Sequence, residues 1–83
     1  MTQSELLKSR TKKFSLEMIK LFRALPKTEE ARIIGKQVLR SSTSVAANYR
    51  AACRAKSQAD FIAKLGIVEE EADETGFWLE MLI

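Results

Sequence analysis

Five carboxylates crowd one stretch near the end of the chain: Glu69, Glu70, Glu71, Asp73 and Glu74. On a helix, Glu70 and Glu74 share a face, as do Glu69 and Asp73, because residues four apart are neighbours. Paired carboxylates can bind metal or move protons. A two-metal site in a helical bundle, however, draws Glu from several helices and adds Glu-x-x-His pairs. The chain has no histidine, which removes the commonest general base, the commonest metal ligand and the usual pH switch. These acids read first as a solvated or ion-paired face, second as contacts between subunits, and last as a metal site.

The other reactive groups are weaker still. Ser41, Ser42, Thr43 and Ser44 form a hydroxyl run with no base beside it, so they read as small packing residues. The single cysteine, Cys53, sits among alanines and cannot form an internal disulfide. Free Cys is usually a small buried apolar group. With no signal peptide visible at Met1–Arg10, the expected compartment is a reducing cytoplasm. There is no Gly-rich phosphate loop, no Ser/His/Asp set and no Cys/His metal spacing. The expectation is a protein that is not an enzyme and uses no cofactor.

Charge is the second possible chemistry. Residues 1–57 hold 13 Lys/Arg against 4 Asp/Glu, while residues 58–83 hold 1 Lys against 7 Asp/Glu. A basic front and an acidic rear can pair within one bundle or between subunits. The basic front can also meet phosphate. The candidate nucleic-acid surface is Lys12, Lys13, Lys20, Arg23, Lys27, Arg50 and Arg54. No aromatic residues interleave with these charges, so base stacking is not expected. Binding through them would address the backbone of RNA or DNA, with little sequence specificity.

These groups must be held by helices. Leu7, Thr11, Phe14, Met18, Leu21 and Leu25 recur at spacings of four and three, which predicts a helix over about 4–25. Pro26 breaks it, because proline lacks an N–H and restricts Leu25. Thr28 then caps a second helix over about 29–55, with Glu29 and Glu30 in its first turn. Its seam is Ile34, Val38, Ser41, Val45, Asn48 and Ala52. Gly35 inside it costs about 1 kcal/mol relative to Ala, and close helix approach is the expected compensation. Ser57 caps a third helix over about 58–83, with Asp60 completing a box. Its seam is Phe61, Leu65, Val68, Ala72, Thr75, Leu79 and Leu82. No strand signal interrupts the pattern. Residues 1–83 read as one all-α domain of three long helices in an antiparallel up-down arrangement.

Arg40, Ser44 and Asn48 lie on or beside the second seam and are expected to form a structural polar set. Asn at such a position can fix helix register and oligomer state. The acidic third helix is the expected partner of Arg40. Leu16 and Ile19 fall outside the first seam, and Phe77, Trp78 and Met81 fall outside the third. Apolar surface that wide marks an interface. Met81-Leu82-Ile83 also lacks any helix stop signal. The expectation is that a fourth helix is missing or that another subunit supplies the cover.

Arg40-x-x-x-Ser44-Val45-x-x-Asn48, followed by Lys56-Ser57-x-x-Asp60-Phe61-Ile62-x-x-Leu65, resembles the four-helix-bundle family named for the 23S rRNA intervening sequence, also labelled the S23 ribosomal protein family. The resemblance covers roughly residues 14–81. Where many members have Glu-Gly, this chain has Ala51-Ala52, so the second helix should run on. Where many have Gly-Ser, it has Glu70-Glu71. The family implies a bacterial, cytoplasmic, non-catalytic subunit with four antiparallel helices, often a homopentamer. A relative is the accessory variability determinant of diversity-generating retroelements. That relationship implies nucleic acid and a reverse transcriptase as partners, alongside further copies of the chain. The alternative reading is a protein–protein adaptor without nucleic-acid binding. No membrane partner is expected, because no apolar run approaches the roughly 18 residues a spanning helix needs.

Overall fold

A computed structural model describes all residues, Met1–Ile83, as three helices: α1 (Gln3–Ala24), α2 (Glu29–Ala52) and α3 (Gln58–Met81). There are no strands. No helix is long and apolar enough to cross a membrane.

Each helix starts on a side-chain cap. Thr2, Thr28 and Ser57 accept hydrogen bonds from the backbone N–H groups of Glu5, Ala31 and Asp60. These bonds satisfy donors that the first turn leaves orphaned. The expected start at residue 4 moves back one position because Thr2 is the cap. The Asp60 carboxylate accepts from the backbone N–H of Lys56 at 3.3 Å, one residue before the cap that the box pattern predicted.

The second helix is shorter than expected, ending at Ala52 and not near residue 55. Its last turn tightens: Arg54 donates to the Ala51 carbonyl and Ala55 to the Ala52 carbonyl, each three residues back. Such bonds commonly close a helix end and use up its free carbonyls. The third helix ends at Met81, with Leu82 as its cap.

Helix α2 is the middle element. Both α1 and α3 pack on it, and no Cα atom of α1 comes within 8 Å of one in α3. The α1 contact depends on small residues. The Ser15 hydroxyl donates to the Ser42 carbonyl at 2.9 Å, and Gly35 lies against Phe22 and Leu25. A β-carbon on Gly35 would sit 2.8 Å from atoms of both side chains. The missing side chain is what allows this approach. On the other side, the Thr75 hydroxyl lies 2.7 Å from that of Ser41. Adjacent serines of α2 therefore anchor different neighbours.

Only ten residues are buried, eight of them on α2. Val38, Val45, Tyr49 and Ala52 form most of the apolar core. The seams of the flanking helices are covered much less. Phe14, Met18 and Leu21 on α1, and Leu65, Val68 and Leu79 on α3, are all half-buried. Residue types that belong in a core thus keep one side open, which forgoes part of the roughly 1.5–3 kcal/mol that full burial of each side chain contributes.

Candidate functional surfaces

The carboxylates of α3 separate into two groups. Glu71 and Glu74 turn toward α2 and bind Arg40: its Nη1 lies 3.3 Å from Glu71, and its Nη2 contacts Glu74. Arg40 also donates from Nε to Gln37 at 3.1 Å. The Glu74 hydrogen bond is the main reason the Arg40 pKa is raised above its ordinary value. Glu69, Glu70 and Asp73 remain exposed and join no ion pair. No three His, Cys, Asp or Glu side chains come together in a geometry that could hold a metal.

The polar set on α2 is two separate arrangements. Asn48 donates from Nδ2 to the Ser44 carbonyl and lies equally close to the Ser44 hydroxyl, both at 2.9 Å. These bonds stay within one helix. Arg40 reaches sideways to α3 and does not join them. The spacing of four shared by Arg40, Ser44 and Asn48 marked a common face but not the length of the side chains, and a guanidinium reaches past its own seam. Sequence reading also missed the Ser15 and Thr75 hydroxyls as cross-helix anchors. For Thr75 the available signal was its place in the apolar seam of α3; Ser15 lies outside the α1 seam, and its spacing carried no such signal.

The basic residues divide between a groove and the open surface. Lys8, Lys12 and Arg50 rim a groove of about 650 Å³ between α1 and α2. Leu16, Ile19, Ala46 and Ala47 supply its apolar floor and walls. Lys13, Lys20, Arg23, Lys27 and Arg54 are all exposed. Of these, Lys20 alone has an ion-pair partner, an exposed Glu17 at 3.7 Å. An exposed pair of this kind contributes little and leaves the local field largely positive. The acidic helix neutralises Arg40 and its own Lys64, and no other cation of the chain.

The apolar residues outside the seams also divide. Leu16 and Ile19 belong to the α1–α2 groove, with Leu16 48% exposed. Phe77 and Met81 are 50% and 49% exposed on α3. Trp78 instead turns inward to half-burial, where its indole N–H donates to Glu74 at 3.3 Å. Phe77 meets the Trp78 ring edge-on, with centroids 5.0 Å apart. On α2, burial pushes the Tyr49 phenol pKa up, with the neighbouring Cys53 adding to the shift.

The sequence model of a family described as 23S rRNA-intervening sequence protein matches residues 6–83. Among solved structures, the chain is similar to the crystal structure of a protein of unknown function from the S23 ribosomal protein family, from Bacteroides thetaiotaomicron. The TM-score is 0.88 at 40% identity, and the match covers 98% of this chain and 72% of that one. No curated protein matches.

Proposed function

The chain belongs to the 23S rRNA-intervening sequence protein family, and from that premise we propose that it is a non-catalytic, self-assembling bundle subunit whose basic faces contact nucleic-acid phosphates. The observation that carries the assembly reading is the half-covered state of Phe14, Met18, Leu21, Leu65, Val68 and Leu79. That α1 and α3 each pack on α2 and not on each other supports a four-cornered bundle with one corner unfilled. The open corner takes a fourth helix, from a neighbouring copy or a longer chain. Contact order supports an antiparallel course. Ser15 meets Ser42, whereas Phe22 and Leu25 meet Gly35, so numbers rise along α1 as they fall along α2.

Nucleic-acid contact is supported by the charges that α3 leaves free. Lys13, Lys20, Arg23, Lys27 and Arg54 present a field that repeats in an assembly, and avidity multiplies weak phosphate contacts. Such contact orients the protein on the backbone without reading bases. The uncovered apolar corner favours a second reading, an adaptor that receives a helix of a different protein.

Two measurements test these readings. Sedimentation at micromolar concentration should show an oligomer, and a stable monomer would end the assembly reading. Gel-shift titration should show retardation of unrelated RNA and DNA sequences alike. Affinity should fall steeply between about 50 and 200 mM salt, because neutralised phosphates release counterions. A combined Lys13→Gln, Lys20→Gln, Arg23→Gln variant should bind more weakly with a shallower salt slope. No retardation at low salt and tens of micromolar protein would remove the nucleic-acid role and leave the adaptor.

A further inference from the structure

The α1–α2 groove and the outer face of α3 are complementary and lie on different flanks of α2. The groove carries three cations, Lys8, Lys12 and Arg50, and no acid, around apolar Leu16, Ile19 and Ala47. None of the three cations has an ion-pair partner within the chain. On α3, Ile62, Gly66, Glu70, Asp73, Phe77 and Met81 follow at spacings of four and three, so they form one stripe. All six are exposed. Nothing lies within 4 Å of where a Gly66 β-carbon would sit, so the stripe is open along its length. Its two carboxylates are also unpaired, and it contains no cation. Since α1 and α3 do not pack on each other, the groove and the stripe of one chain do not meet.

We propose that the Ile62–Met81 stripe of one copy docks into the α1–α2 groove of a second copy. Glu70 and Asp73 then face the Lys8, Lys12 and Arg50 rim, and Phe77 with Met81 covers Leu16 and Ile19. The occupant is a second copy because the missing charges and the missing apolar cover of each surface are both present on the other. Electrostatic complementarity of this kind fixes register and excludes wrong partners. Two different patches meet, so the contact is head-to-tail. Such contacts propagate until the rotation closes a ring, or form a filament if it does not. This proposal rests on the self-assembly reading. It is separate from the open corner between the seams and leaves Lys13, Lys20 and Arg23 outside the contact.

Charge reversal tests it on the full chain. The Lys8→Glu, Lys12→Glu variant places acid against acid. Glu70→Lys, Asp73→Lys places base against base. Each pair should loosen self-association at least about tenfold, since like-charge juxtaposition costs several kcal/mol. Mass by light scattering should move toward the 9.4 kDa of one chain. All four reversals in one chain should recover association relative to either pair, because two acids of the groove, beside the unchanged Arg50, then face two bases of the stripe. Circular dichroism should show unchanged helicity, since all four sites are exposed. If the wild type assembles and either pair assembles equally well, the groove–stripe contact is wrong while assembly stands. If the groove pair abolishes RNA retardation without loosening assembly, the groove is a phosphate site and the proposal falls. A monomeric wild type overturns both the contact and the assembly reading beneath it.

Discussion

Thr75 of α3 and Ser41 of α2 meet hydroxyl to hydroxyl at 2.7 Å, with both residues buried. Each hydroxyl also approaches a carbonyl of its own helix: Ser41 that of Gln37 at 2.9 Å, Thr75 that of Glu71 at 2.8 Å. Ser41 also approaches the Val38 carbonyl at 3.4 Å, so two protons serve four contacts, because a hydroxyl donates once. Whichever residue donates across the interface, the other still donates to its own helix.

That arrangement predicts a modest cost for losing either hydroxyl. Thr75→Val and Ser41→Ala should each destabilise by about 0.5–1.5 kcal/mol, because the surviving hydroxyl keeps a carbonyl partner. The double variant should cost less than the sum, since both singles remove the same bond. Ser41→Leu should cost more, about 1–3 kcal/mol or above, because it forces methylenes into a contact with no exposed surface. Urea unfolding of the four variants checks this. A Ser41→Leu chain as stable as Ser41→Ala would show that close approach is not what the small residue provides.

The three glycines should respond oppositely to alanine. Gly76→Ala places its β-carbon in open space and should stabilise by up to about 1 kcal/mol through helix propensity. Gly66→Ala should gain similarly in the single chain. At Gly35 the same gain is set against a 2.8 Å contact with the Phe22 ring and the end of Leu25. Leu25 can turn away, but the ring must shift as a body. Gly35→Ala should therefore be net destabilising, by about 1 kcal/mol on the scale of overpacking. Thermal midpoints of the three variants should show two increases and one decrease.

Arg40 should contribute less than its two carboxylate contacts suggest. The pair is partly exposed, with 46% of the arginine side chain accessible, so solvent screens it. Arg40→Ala should cost roughly 0.5–1 kcal/mol at low salt and less at 1 M salt. Trp78 reports the change, because it is the only tryptophan and its N–H shares Glu74 with Arg40. Releasing Glu74 should shift the Trp78 emission. An unchanged spectrum would mean that Arg40 does not hold Glu74 in place.

The elements were legible because each carried agreeing local signals. Pro26, Thr28 and Ser57 mark boundaries that the structure places where local chemistry requires. Gly35 was legible as a site of close approach because it falls beside Ile34 and Val38 of the α2 seam, whereas Gly66 and Gly76, equally inside a helix, meet open space. The identity of its neighbours was not, because Phe22 and Leu25 come from another helix. The end of α2 was misplaced for a related reason. Ala51 to Ala55 has good helix formers, and its change to three-residue spacing is a backbone adjustment with no side-chain signature. Trp78 and Phe77 are adjacent and similarly apolar, yet Trp78 lies one turn beyond buried Thr75 on the same face, while Phe77 points about 100° away. Which flank each loose apolar residue occupied required knowing that α2 is central, and three similar helical seams do not specify that order.

Asp60 ties the start of α3 to acid stability. Its carboxylate accepts from Lys64 at 2.7 Å and from the Lys56 backbone N–H at 3.3 Å. The Lys64 hydrogen bond, then that of Lys56, hold its pKa below the ordinary carboxylate value. In the unfolded chain the same group takes up a proton at a higher pH. The stabilisation is therefore fully present above the unfolded value and is lost as pH falls through the lower folded value. At neutral pH, wild type should be more stable than Asp60→Asn. As pH drops below the usual carboxylate range, the gap between their thermal midpoints should close. Ser57 still accepts from the residue-60 backbone N–H in either protein, so the cap itself should persist and α3 should remain helical. A gap that stays constant from neutral to acid would mean that the Asp60 charge plays no part in holding this turn.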